Sequence, residues 1–214
     1  MTIDLGETYK AARERITQLV AGDDVDPTLP VPATPDWSVH CVIAHLSGIA
    51  ADASTGNMEG APGEAWTAAQ VARGAGRTLA ELIAGWEQTG PLIEGFLSSP
   101  AGEAASAAVM DIHTHEADLR HAMGLPAAVP AEFLEWAAPS LRNGFAEAVT
   151  AAGLPPVEVA ASDFEWFRAR LGRRTVAEMN AYTWSADAAP YLDAFFVFGR
   201  ARSSLGESSL GENE

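Results

Sequence analysis

Asp111-Ile112-His113-Thr114-His115-Glu116-Ala117-Asp118-Leu119-Arg120-His121 is the stretch on which the fold turns. At about 100° per residue, Asp111 and His115 stand one helical turn apart and roughly 40° from each other. Asp118 and Ala122 share their face, and Ala108, Ile112, Leu119 and Met123 form an apolar stripe beside it. A helix that buries this stripe carries Asp111 and His115 to the edge of the core, where a carboxylate is costly unless its charge is compensated. His113, Glu116 and Arg120 point roughly the opposite way, so His113, Glu116 and the nearby His121 read as a solvated face. The periodic segment runs from Glu103 to Met123 and stops at Gly124, a suitable residue just past a helix end, with Pro126 beyond it.

Three more segments with helical periodicity precede this one. Leu5 to Val20 places Tyr9, Ala12, Ile16, Leu19 and Val20 at spacings of three and four. Ser38 caps the next, with Trp37 as a hydrophobic staple, and Val39, Val42, Ile43, Leu46, Ile49 and Ala50 follow until Ser54-Thr55-Gly56. A third begins at Trp66, breaks at Gly74-Ala75-Gly76, and resumes as Thr78 to Leu97, where Pro91 predicts a kink or a split. Pro27, Pro30, Pro32 and Pro35 make the first connection extended. Four such helices bury their stripes only against one another, which predicts an antiparallel four-helix bundle.

Beyond Gly124 to Val129 the pattern changes. Phe133 to Ala152 reads as a helix, Val157 to Ala160 as a short strand, and Ser162 to Leu171 and Thr175 to Tyr182 as compact helices before an aromatic stretch from Tyr191 to Phe198. The expected organisation is a bundle over 1–125, a small C-terminal α/β domain over 126–202, and a disordered polar tail over 203–214.

Composition narrows the function. The 214 residues hold 13 Lys and Arg against 29 Asp and Glu, a net charge of −16. That charge repels phosphate backbones and anionic lipid, so nucleic-acid and membrane partners are not expected. One cysteine, Cys41, excludes an internal disulfide or a cysteine-rich zinc cluster. The acidic start lacks the basic and apolar regions of a signal peptide, and no run is long enough to span a membrane, so the expected location is the cytoplasm.

An Asp and a His at i, i+4 reach one point and suit one divalent ion. The third ligand must come from another helix. His45, on the inward side of the second segment between Val42 and Ile49, is the candidate, whereas His40 faces away. Two histidines and one carboxylate leave an open coordination position on zinc or a similar ion. The same residues read also as a hydrogen-bonded pair and a core histidine, and a slip of helical phase puts His113 in the place of His115.

Several runs resemble the mycothiol-dependent maleylpyruvate isomerase family, a branch of the DinB-like metal-binding bundles. They are Pro35-Asp36-Trp37-Ser38-Val39 through His45-Leu46, Trp66 to Arg73, Asp111-x-x-x-His115-Glu116-x-Asp118-Leu119-Arg120, Asp163 to Arg168 continuing into Gly172-Arg173-Arg174-Thr175, and Tyr182-x-Trp184 through Asp187, Pro190-Tyr191-Leu192 and Phe198-Gly199. The resemblance implies a mainly α protein, a DinB-like bundle with a small α/β C-terminal domain. It implies a divalent metal, usually zinc, on His45, Asp111 and His115, with mycothiol, the actinobacterial thiol, as cosubstrate. Arg173 would meet substrate carboxylates. The partners expected are that small-molecule thiol and an electrophilic substrate, with a homodimer left open. Three departures stand out. The ligand carboxylate is Asp111 rather than Glu, Cys41 occupies a usually acidic position, and Pro155-Pro156 leads almost directly into Val157, which abbreviates the C-terminal domain. Isomerase or S-transferase chemistry follows if the site is catalytic, and a non-catalytic metal-binding or regulatory bundle is the alternative.

Overall fold

The computed structural model describes residues 2–22 and 24–207 and is mainly helical. It separates into two compact units, Asp4–Leu125 and a second that begins at Pro126.

In the first unit, Asp4 caps α1 (Leu5–Val20) by accepting from the backbone N–H groups of Gly6 and Glu7. Ser38 caps α2 (Val39–Thr55). After a short, mostly exposed α3 (Glu64–Gly74), a reciprocal Thr78–Glu81 capping box starts α4 (Leu79–Leu97). α5 (Ala107–Ala122) ends in a Schellman motif: Leu125 N–H reaches Arg120 C=O at 2.8 Å and Gly124 N–H reaches His121 C=O at 3.0 Å, with Gly124 at φ 71°. α1 packs on α4 and α5, and α2 on α3, α4 and α5. Tyr9, Ile16, Leu46, Leu82, Trp86, Val109, Ile112 and Leu119 fill the space between them. A buried ion pair, Arg13 Nε to Glu94 Oε1 at 2.6 Å, lies between α1 and α4.

Two expectations about these helices are corrected. α4 is not split at Pro91, which leaves the kink as the surviving half of that expectation; the residue is exposed, and water can satisfy the carbonyl left without its N–H partner. α5 starts at Ala107 rather than Glu103, since Gly102–Ala105 winds into a tighter 3₁₀ turn.

The second unit is built around α6 (Ala131–Ala151), against which α7 (Asp163–Arg170) and α9 (Leu192–Phe195) pack. α8 (Val176–Asn180) carries a second capping box, Thr175 with Glu178. The expected strand contracts to β1 (Val159–Ala160), paired antiparallel with β2 (Thr183–Trp184). Phe145, Val149, Trp166, Met179, Tyr191 and Phe195 form the core, with the Phe195 ring 4.8 Å from Trp166 and 4.9 Å from Phe145. Within the expected disordered tail over 203–214, Leu205 is buried and Glu207 pairs with Arg168 and Arg174, while Ser203, Ser204 and Gly206 are exposed. The polar composition of the segment hid this, because two buried guanidinium groups hold it. Residues 208–214 lie outside the described residues. No helix among the described residues is long and apolar enough to cross a membrane.

Candidate metal centre

The N-terminal unit brings together the three side chains that spacing had selected. One donor atom from each of His45 on α2 and Asp111 and His115 on α5 lies within 4.8 Å of the others. His45 Nε2 is 3.3 Å from Asp111 Oδ2, and His115 Nε2 is 3.6 Å from Asp111 Oδ1. Two ligands on bonds of ~2.0–2.1 Å at a tetrahedral angle stand about 3.3 Å apart, so the donor set and its spacing fit one small divalent ion. Both imidazoles are buried, whereas Asp111 is partly exposed. Trp37 lies over the pair, with its ring centroid 5.2 Å from that of His45 and 5.8 Å from that of His115, nearly parallel to the latter.

A further layer sets which nitrogen of each ring faces the centre. His45 Nδ1 is 2.8 Å from Gln70 Oε1, and the Gln70 amide nitrogen donates to Asp52 Oδ2 at 2.9 Å. Asp52 also accepts from Asn57 and from Arg73, both Arg73 Nη2 contacts being 2.7 Å. Burial raises the Asp52 pKa, but these hydrogen bonds outweigh it and hold the carboxyl below its ordinary range. His115 Nδ1 approaches the fully buried Asp118 carboxylate at 3.2 Å, an ionic contact rather than a well-aligned hydrogen bond. Burial disfavours a charged His45, yet Asp111 and Gln70 outweigh it and raise the His45 pKa. The field that favours a proton at this point also favours a metal cation.

The solvated face assigned to α5 is overturned. His113 is 1 % and Glu116 3 % exposed. Glu116 takes a two-pronged ion pair from Arg15 of α1, Nε to Oε1 and Nη2 to Oε2 at 2.7 Å each. His113 Nδ1 donates to Val109 C=O at 2.8 Å, and burial lowers its pKa to about 4, which keeps the ring neutral. Phase arithmetic failed here because it granted α5 one buried face, whereas α5 is enclosed on more than one side. His40 reaches Arg77 C=O at 2.7 Å, and Cys41 is half-buried beside Ser38.

Arg173 belongs to the other unit, where it is buried and donates from Nη1 to Leu171 C=O at 2.6 Å. Gln70, Asp52 and Trp37 were missed as members of the site. A signal for Gln70 was present, since Trp66, Gln70 and Arg73 recur at i, i+4 and i+7 on one face of α3.

Residues 9–98 match the family model described as Mycothiol maleylpyruvate isomerase N-terminal domain. No curated protein and no solved structure matches the chain. The matched stretch takes in most of α1 and all of α2 to α4, including His45 and Gln70, and stops before Asp111 and His115. Over residues 9–98 the chain is therefore similar to the mycothiol maleylpyruvate isomerase N-terminal domain.

Proposed function

We propose that the chain is a cytoplasmic, divalent-metal thiol enzyme that uses mycothiol as cosubstrate and zinc as its ion. The observation that carries the reading is the convergence of His45, Asp111 and His115 donor atoms within 4.8 Å. The family match over residues 9–98, which takes in His45, supports it too, since the matched domain is a mycothiol-related, DinB-like one. The three side chains would hold the ion from two helices, with Gln70 and Asp118 behind the imidazoles. A bound ion supplies one thing, a thiol kept as thiolate near neutral pH. Trp37 covers one side of the imidazoles, and the partly exposed Asp111 side is the direction from which a thiol reaches them. Arg173 is proposed as the substrate-carboxylate contact. Thiol addition to an activated double bond followed by departure of the same thiol gives cis–trans isomerisation, and departure of the adduct gives S-transfer.

Metal analysis after chelator-free purification, followed by calorimetry with mycothiol, tests this. The expected result is about one ion per chain, lost in His115→Ala, and a mycothiol signal that disappears when the metal is removed. Full metal retention by His115→Ala would overturn the site. A metal-replete chain that ignores mycothiol would instead leave a metal-binding or regulatory bundle.

A further inference from the structure

α3 is a poor helix by the usual criteria. Gly63 at its N-cap makes no side-chain capping bond, and only Gln70 and Gly74 are buried along its length. A glutamine 1 % exposed is a costly thing to bury unless both ends of its amide are satisfied. Here both ends are, and each partner dictates the other. Asp52 is held as a carboxylate and only accepts, so the Gln70 NH₂ must face it and Oε1 must face His45. Oε1 also only accepts, so His45 Nδ1 must carry the proton and Nε2 is the nitrogen left facing Asp111.

The rest of α3 serves this one contact. Trp66 Nε1 donates to Asn57 C=O at 2.9 Å, Asn57 donates to Asp52, and Arg73 closes on Asp52 from the last turn. The helix approaches α2 closely because glycines stand at the crossing. A Cβ on Gly48 would lie 2.7 Å from Gln70 Cβ and 2.9 Å from its Cγ, and one on Gly74 would lie 2.4 Å from Ala44 Cβ.

We infer that Gln70 is a positioning residue for the metal centre: anchored by Asp52 and Arg73, it fixes the Nδ1–H tautomer and ring orientation of His45. The inference rests on the proposed metal site for its function, but the tautomer is a property of the chain alone. Partners behind a metal-ligating histidine typically change metal affinity by about 10–100-fold when removed.

The experiment pairs two readouts on the wild-type chain, Gln70→Leu, Asp52→Asn and Gly48→Ala. One is Zn²⁺ affinity by chelator competition, and the other is ¹⁵N NMR of the metal-free His45 ring. At a pH where the ring is neutral, the expected result is a single Nδ1–H tautomer in the wild type, a mixture in the variants, and Zn²⁺ binding weakened about 10–100-fold. Gly48→Ala is the sharper case, because it displaces Gln70 without touching any hydrogen-bonding group. Wild-type-like Zn²⁺ affinity and an unchanged His45 tautomer in all three variants overturn the inference while leaving the metal site intact. If the wild type binds no Zn²⁺, the metal reading fails, and the tautomer data decide the role of Gln70 alone.

Discussion

Both units bury charge against counter-charge, but only the N-terminal one also gathers like groups at a single point. In the C-terminal unit two of the buried arginines close on carboxylates of the same unit. Arg168, 0 % exposed, gives Nε and Nη2 to the Glu207 carboxylate at 2.9 and 2.7 Å. Arg174 pairs through both prongs with Glu165 at 2.8 Å and donates Nη1 to Glu207 at 2.9 Å. Among the described residues, these two guanidinium and two carboxylate groups pair with one another. In the N-terminal unit the converging groups are two imidazoles and a carboxylate, all electron-pair donors aimed at one point. The first arrangement pairs opposite charges, and the second sets like donor atoms close enough to hold one cation. Buried polarity alone therefore does not mark a functional site; convergence of one kind of group does.

The largest expected effect breaks the receptive side of that contrast. Asp111→Asn keeps the shape but removes the charge and the one ligand shared between both imidazoles. Zn²⁺ affinity by chelator competition should fall by more than the ~10–100-fold expected for an outer partner such as Gln70. Affinity retained within a few-fold would mean that the carboxylate is not a ligand.

The self-contained side should break in stability instead. Glu207→Gln leaves Arg168 and Arg174 short of one counter-charge in a buried cluster, which costs about 3–5 kcal/mol. Denaturant unfolding followed by the fluorescence of Trp166 and Trp184 reads this, and metal affinity should not move. Replacing both partners by apolar residues, Arg168→Met with Glu207→Leu, should recover most of the loss, since the penalty arises from the orphaned charge.

Acid sharpens the comparison at a smaller scale. Burial raises the Glu165 pKa, but Arg174 and Tyr182 outweigh it and leave the folded value below the ordinary 4.5. A depressed folded pKa stabilises above the unfolded value, and the contribution is lost as pH falls below about 4.5 toward the folded one. Stability of the wild type should therefore decline through that window, and Glu165→Gln should flatten the slope there while lowering stability at neutral pH. The smallest effect expected is from Trp37→Leu, which removes aromatic contact with His45 and His115. About 1 kcal/mol of local stability and a few-fold in Zn²⁺ affinity should go with it. An unchanged affinity would assign Trp37 to packing alone.

Much of the bundle was readable because caps and apolar spacing agree. Asp4, Ser38, Thr78, Ser162 and Thr175 each start a helix through a side-chain acceptor, and Gly124 stops one by adopting a positive φ. His45, Asp111 and His115 were readable for the same reason, as i, i+4 spacing and the inward phase of α2 point at a common interior. Glu116 and Glu207 were not. Arg15 lies on α1 and Arg168 on α7, 101 and 39 residues from their partners. A charged residue looks solvated until the distant group that neutralises it is known.

The sequence by itself determined most helix caps, the inward phase of His45, Asp111 and His115, and that a carboxylate and two imidazoles were available for an ion. Tertiary structure alone decided that α5 is enclosed on more than one side, that Gln70 stands behind His45 while Asp52 stands behind Gln70, and that Glu207 completes an arginine cluster. The physical reason is range. Capping and periodicity act within a turn or two of backbone, whereas the compensation of a buried charge or amide depends on whichever remote group the packing delivers to it.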